Sequence, residues 1–186
     1  MSILNGLSGI VNSGESVPIS FARDCEINVD SPIEFQLLQA AAGGHTQELQ
    51  ALLKQEGIDV NVATKRGVCG DSGRTALSLA AENGYDDTCS ALIDAGADVN
   101  ITDLMGHAPL FYAVVRGNVE CVQVLIAAKA NLEQKPLNKN STALWVALDQ
   151  SKRFKKTPEV ADRFNTIAEE LVAAGAKPIK SCCTIL

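Results

Sequence analysis

One stretch of this chain is written more than once. Gly73-Arg74-Thr75-Ala76-Leu77-Ser78-Leu79-Ala80-Ala81-Glu82-Asn83-Gly84 leads on to Gly96-Ala97-Asp98-Val99-Asn100. A second copy begins Gly106-His107-Ala108-Pro109-Leu110 and passes through Arg116-Gly117-Asn118 to Ala130-Asn131. A third starts Asn140-Ser141-Thr142-Ala143-Leu144 and closes at Ala174-Gly175-Ala176. An earlier, truncated copy reads Leu37 to Ala42, then Gly44-His45, then Gly57-Ile58-Asp59-Val60-Asn61. Anchored on Leu37, Leu77, Leu110 and Leu144, the spacings are 40, 33 and 34. A period near 33 residues with insertions is the signature of a stacked repeat architecture. One such unit cannot bury its own apolar face, so four must stack to make a core.

Local pattern gives each unit two helices. Leu77, Ala80 and Ala81 recur at helical spacing, and the small Ala pair lets neighbouring helices approach closely. Val119, Val122, Leu125 and Ile126 make the apolar stripe of a second helix. Pro109 stands at a helix start, where the missing N–H costs nothing. Gly84 and Gly117 follow the first helices, where a left-handed cap is expected. Three insertions interrupt the period: about six residues around Arg66–Ser72, one between Glu133 and Asn140, and about twelve around Lys152–Lys156. Each is expected to form a loop.

Period, glycine positions and Asp-Val-Asn endings together resemble the ankyrin repeat, over about residues 33–179. The resemblance implies an all-α fold: an ankyrin-repeat solenoid of helix-turn-helix repeats with β-hairpin fingers. The repeats fall at about 33–66, 73–105, 106–139 and 140–179. The family's Thr-Pro-Leu-His histidine is replaced by Ser78, Phe111 and Trp145, so weaker bonding at each helix start is expected. The family binds proteins through finger tips and the ends of the first helices. That places candidate contacts at Arg74, Glu82 and Asn83, and at Thr102, Leu104, Met105, His107, Val115 and Arg116. In the fourth repeat it places them at Ser141, Trp145, Asp149 and Gln150. Leu104 and Met105 are apolar on an expected exposed finger, which points to a partner. Trp145, the one Trp, fits either an interface anchor or a core position. Asn61 and Asn100 resemble substrates of asparaginyl hydroxylation; the alternative is that they stabilise the turns between repeats.

The two ends read differently. Residues 1–32 form an N-terminal arm, partly disordered, in which Val17, Ile19, Phe21, Cys25, Ile27 and Val29 alternate. A strand or hairpin at 17–29 capping the first repeat is expected. Residues 180–186 form a flexible tail ending Cys183-Thr184-Ile185-Leu186, which fits C-a-a-X with Leu favouring geranylgeranylation. Thr184 departs from the aliphatic residue preferred at the first "a". One prenyl chain anchors only marginally, so a second signal is expected. It would come from acylation of Cys182, or from Lys177 and Lys180 with the Lys152–Lys156 cluster. Charge divides accordingly: residues 1–151 carry nine Lys and Arg against 18 Asp and Glu, and the remainder seven against four.

Other chemistries find little support. An acidic body disfavours nucleic-acid binding. No apolar run approaches a membrane span. Six Cys without Cys-x-x-Cys pairs, and only two His, argue against zinc and a disulfide framework. Cys89 and Cys121 fit a helical core. Neither cofactor nor metal is expected, and no catalytic residue is assigned. The expected function is a non-enzymatic scaffold or adaptor, monomeric, with a protein partner. Its lipid tail would hold it at the cytosolic face of a eukaryotic membrane, with similarity to prenylated effectors of intracellular bacteria. Two alternatives stand beside it: a soluble inhibitor occluding an enzyme such as a kinase, and a cysteine enzyme using Cys69 in the 66–72 insertion.

Overall fold

The second, third and fourth repeats each open their first helix with an extended residue that turns the chain. Thr75 sits at φ −81°, ψ 163°, and its Oγ1 accepts from the Ser78 N–H at 3.3 Å. Thr142 repeats the arrangement with the Trp145 N–H at 3.4 Å. In the third repeat Ala108 has no hydrogen-bonding side chain to offer, and Pro109 starts the helix. The expected weakening is offset in the second repeat, where Ser78 Oγ donates to the Thr75 carbonyl at 2.9 Å.

A computed structural model describes residues 32–64, 73–137 and 141–177. The described residues form eight helices: α1 (Pro32–Gly43), α2 (Thr46–Leu53), α3 (Ala76–Asn83), α4 (Asp86–Asp94), α5 (Pro109–Arg116), α6 (Val119–Ala127), α7 (Ala143–Arg153) and α8 (Pro158–Ala173). They pack as four hairpins. An inner row runs α1, α3, α5, α7 and an outer row α2, α4, α6, α8, each helix touching its counterpart in the next repeat. The anchor leucines Leu37, Leu77, Leu110 and Leu144 are all buried, as are Leu52, Leu92, Leu125 and Leu171 of the outer row. Each such burial stabilises by about 1.5–3 kcal/mol. Cys89 and Cys121 are buried free thiols in this core. The hydrogen bond between them, and then burial, push the Cys89 thiol well above its ordinary value.

Two devices hold one repeat to the next. Gly84 ends α3 at φ +84°, and a Cβ there would lie 3.1 Å from the Asn118 side chain. Asn118 Nδ2 uses that closeness to donate to the α3 carbonyls of Ala81 and Glu82 at 2.9 and 3.0 Å. The second device is a side-chain ladder along the turns. Asn61 Oδ1 accepts from the Asp98 N–H, and Asn100 Oδ1 from the Asn131 N–H, both at 2.8 Å. Glu133 takes the place of the Asn in the third repeat, accepting from the Lys177 N–H at 2.8 Å.

The base of the first finger is paired by one antiparallel bridge, Ala63 to Thr75, with the Thr64 N–H donating to the Arg74 carbonyl at 2.9 Å. In the next finger Asp103 Oδ1 accepts from both the Met105 and His107 N–H groups, and the Asp103 N–H donates to the His107 carbonyl at 3.0 Å. One expectation changes: the insertion around Lys152–Lys156 is not simply a loop. It lengthens α7 to 11 residues and α8 to 16, against 8 for α5 and 9 for α6. Phe154 stacks on Phe164 at 6.0 Å and closes the turn between them. The arm at 1–31, the insertion at 65–72 with Cys69, and the tail with Cys182 and Cys183 lie outside the described residues.

Candidate partner-binding face

The finger turns and the inner helices together carry the positions at which partner contact was expected. At the centre sits a charged network. Glu82, at the end of α3, has a side chain only 6% exposed. Its Oε2 accepts from Arg74 Nη1 at 2.5 Å, and its Oε1 from Arg116 Nη2 at 2.6 Å. An unpaired carboxylate at that depth would be costly, so the arginines are the condition of its burial. Arg74 lies across the Tyr112 ring, 4.5 Å from its centre, and its Nε donates to the Tyr112 hydroxyl at 3.2 Å.

The network continues into the second finger. The Tyr112 hydroxyl donates to Asp103 Oδ2 at 2.5 Å, and His107 Nδ1 lies 3.2 Å from the same oxygen. Burial opposes ionisation of Asp103, but the bonds from Tyr112 and His107 outweigh it and hold its carboxyl below the usual range. Burial and the bond to Asp103 push the Tyr112 phenol up. The His107 ring stacks on Phe111 at 4.3 Å.

The candidate residues therefore separate into two groups. Arg74, Glu82 and His107 are engaged inside this network. Asn83 is half-buried and donates to the Ala42 carbonyl at 3.2 Å, joining the second repeat to the first. The polar groups of Arg74, Glu82 and His107 thus bond within the network, and that of Asn83 bonds the backbone carbonyls of Ala42 and Leu79. Ser141 is buried, Val115 and Trp145 are half-buried against the core, and Thr102 and Gln150 are half-buried. Asp149 accepts from Arg153 Nε at 2.8 Å. Outward-facing are Leu104, 54% exposed, Met105, 42% exposed, and the Arg116 side chain, 53% exposed.

One member of the outward group escaped the sequence reading. Leu137 is 76% exposed on the next finger, with its Cγ against Gly106, as Leu104 lies against Gly73. Its N–H donates to the Met105 carbonyl at 2.9 Å. Leu137 follows Leu104 by 33 residues, the repeat spacing itself, and that interval was the available signal. Leu104, Met105 and Leu137 thus form an apolar ridge across two neighbouring fingers. Among the described residues no group of His, Cys, Asp and Glu is arranged to hold a metal ion.

Comparison with known proteins agrees with this architecture. The family pattern for ankyrin repeats in three copies matches residues 11–103, and the single ankyrin-repeat pattern matches residues 105–135. The first match reaches back beyond the described residues into the N-terminal segment. Among similar proteins is the target of rapamycin complex 2 subunit AVO2 of Saccharomyces cerevisiae. It is 28% identical over 142 residues, covering 73% of this chain and 30% of that protein. Rabankyrin-5 of Mus musculus is 26% identical over 141 residues, 73% of this chain and 12% of its own length. The E3 ubiquitin-protein ligase KEG of Arabidopsis thaliana is 33% identical over 100 residues, 53% of this chain and 5% of its own. The chain thus spans less than a third of each of these relatives. Their shared segment supports a protein-binding scaffold role. With the repeat period, the paired helical rows and the family match in agreement, the chain is a member of the ankyrin-repeat family.

Proposed function

We propose that this protein is a non-enzymatic adaptor that grips a protein partner with its fingers and is held at a membrane by a prenylated tail. The partner-binding half rests on one observation: a rigid repeat scaffold holds Leu104, Met105 and Leu137 exposed in a continuous apolar ridge. An apolar patch held in place by folded elements is what a partner covers. Arg116 beside it supplies a half-exposed cation of the type that dominates interface energetics. Catalysis is not needed by this reading, and no residue is assigned to it.

The tether half rests on the Cys183-Thr184-Ile185-Leu186 ending. No helix among the described residues is long and apolar enough to cross a membrane, and the anchor in this reading is a lipid on Cys183. The fold bears on the second anchoring signal. Lys177 follows one end of α8, and Lys152–Lys156 sit at the other. The 16 residues of α8 separate them by about 24 Å at the helical rise of ~1.5 Å per residue. Exposed Glu159, Asp162 and Glu169 lie along that length and would oppose an anionic leaflet. Acylation of Cys182 is therefore the second signal we favour over the lysine cluster. The site of action would be the cytosolic face of a eukaryotic membrane, including that of a host cell if the protein is a secreted effector.

Fractionation of eukaryotic cells tests the tether. Wild type is expected with membranes and Cys183→Ser in the soluble fraction. Equal solubility of the two would discard the anchor and move the reading to a soluble inhibitor that occludes an enzyme through the same ridge.

A further inference from the structure

Asn83 joins two repeats through the side-chain amide that an Asn-Gly sequence puts at risk. It is the last residue of α3, it is half-buried, and Gly84 follows it. Its Nδ2 donates to the Ala42 carbonyl of α1 at 3.2 Å and to the Leu79 carbonyl one turn back at 3.0 Å. Asn118 makes the corresponding bonds from the third repeat to α3, but Val119 follows it. The residue after an Asn decides whether its backbone nitrogen can reach the amide carbon. Gly has no Cβ to obstruct the approach, whereas branched Val crowds it. In that reaction the Gly84 nitrogen attacks Asn83 Cγ and closes a succinimide ring, while its proton leaves with Nδ2 as ammonia. One water then opens the ring at either carbonyl, leaving aspartate or isoaspartate at position 83. Water is the co-reactant, and nothing is oxidised or reduced.

Stacking keeps the reacting groups apart. The Gly84 N–H is bonded to the Ala80 carbonyl at 3.0 Å, and Asn83 has helical backbone, from which the five-membered ring cannot close. Cyclisation therefore needs the last turn of α3 to unwind and the bond to Ala42 to part. We propose that Asn83-Gly84 is a deamidation site closed by repeat stacking, and that its reaction is a one-way switch that loosens the first repeat on the second. The direction comes from the product. A carboxylate has no proton to offer the Ala42 and Leu79 carbonyls, so acceptor faces acceptor where a donor stood. It also adds negative charge beside Glu82 at the C-terminal end of α3, where the helix dipole opposes it. Isoaspartate lengthens the main chain by a carbon just ahead of Gly84, whose φ of +84° forms the cap. The Thr46–Thr88 hydroxyl bond at 2.8 Å and the Asn61 bond to the Asp98 N–H still join these repeats, so the first repeat loosens rather than departs. The switch is separate from the finger ridge and does not depend on modification of Cys183.

Asn5-Gly6, the other Asn-Gly pair of the sequence, supplies an internal reference. The full chain is held at mildly alkaline pH in native buffer and in urea, and both pairs are followed by peptide mass mapping. In urea Asn83 is expected to convert in step with Asn5. In native buffer its conversion is expected to be slower by about tenfold or more, because the rate follows the fraction of molecules in which α3 is open. Equal rates for Asn83 in the two solutions, or no conversion in urea while Asn5 converts, would overturn the proposal. Asn83→Asp supplies the product directly and is read by amide hydrogen exchange. Faster exchange in α1 and α2, with α5 to α8 as in wild type, is expected. Unchanged exchange in α1 and α2 would show that the carboxylate is tolerated. A uniform rise from α1 to α8 would show that the stack opens as one unit. Either result would discard the switch.

Discussion

At the scale of single residues, Glu82 shows why a charge in a repeat pattern is not automatically a contact for something else. Its carboxylate is buried between two arginines from different repeats, and it joins them because the stacking brings α3 and α5 together. Replacing Glu82 by Ala removes the buried carboxylate that lies between the two arginines. A loss of about 3 kcal/mol in urea unfolding is expected, in line with broken buried pairs. Arg116→Ala is expected to cost less than about 1 kcal/mol, because that side chain is half in water. Asp103 adds a pH dependence with a definite sign. Its carboxyl is held below the ordinary value, so its contribution is complete above about pH 4, near the unperturbed carboxylate pKa. It is lost as pH falls from there through the folded-state value. Asp103→Asn should flatten this acid limb in midpoints measured across the range. A limb identical to wild type would show that other carboxylates govern it.

Elements are positioned by contacts that the pattern only partly announces. The turn asparagines were legible as turn residues, but Asn61 and Asn100 also reach forward to the next repeat's backbone. That use depends on a neighbour some 30 residues away and has no signature in the turn itself. Asn100→Ala is expected to lose about 1 kcal/mol, the net worth of an intramolecular hydrogen bond. Leu92→Ala on α4, where the side chain is fully buried, is expected to lose about 2–5 kcal/mol. The two together, measured by the same unfolding curve, rank turn ladder against core. The extended α7 and α8 are a related case. Basic residues in the last turn of α7 complement the helix dipole, and Pro158 can start α8, so inserted residues became helix.

For the whole molecule, function follows from what stacking leaves uncovered. The finger ridge of Leu104, Met105 and Leu137 is the surface on which adaptor binding is argued. Leu104→Asp with Leu137→Asp is expected to abolish capture of a partner that binds the fingers while leaving the melting temperature within a degree or two of wild type, because both side chains already face water. A large fall in melting temperature would mean that the leucines serve the fingers' own packing against Gly73 and Gly106.

The repeat period, the paired helices, the glycine caps and the leucine core were all determined by the sequence alone. They depend on spacing and residue size, which survive in one dimension. Which of the candidate residues face outward was decided only by the tertiary structure. Exposure at Leu137 and pairing at Glu82 arise from the distance between neighbouring repeats, and burial of a charge depends on a partner far along the chain.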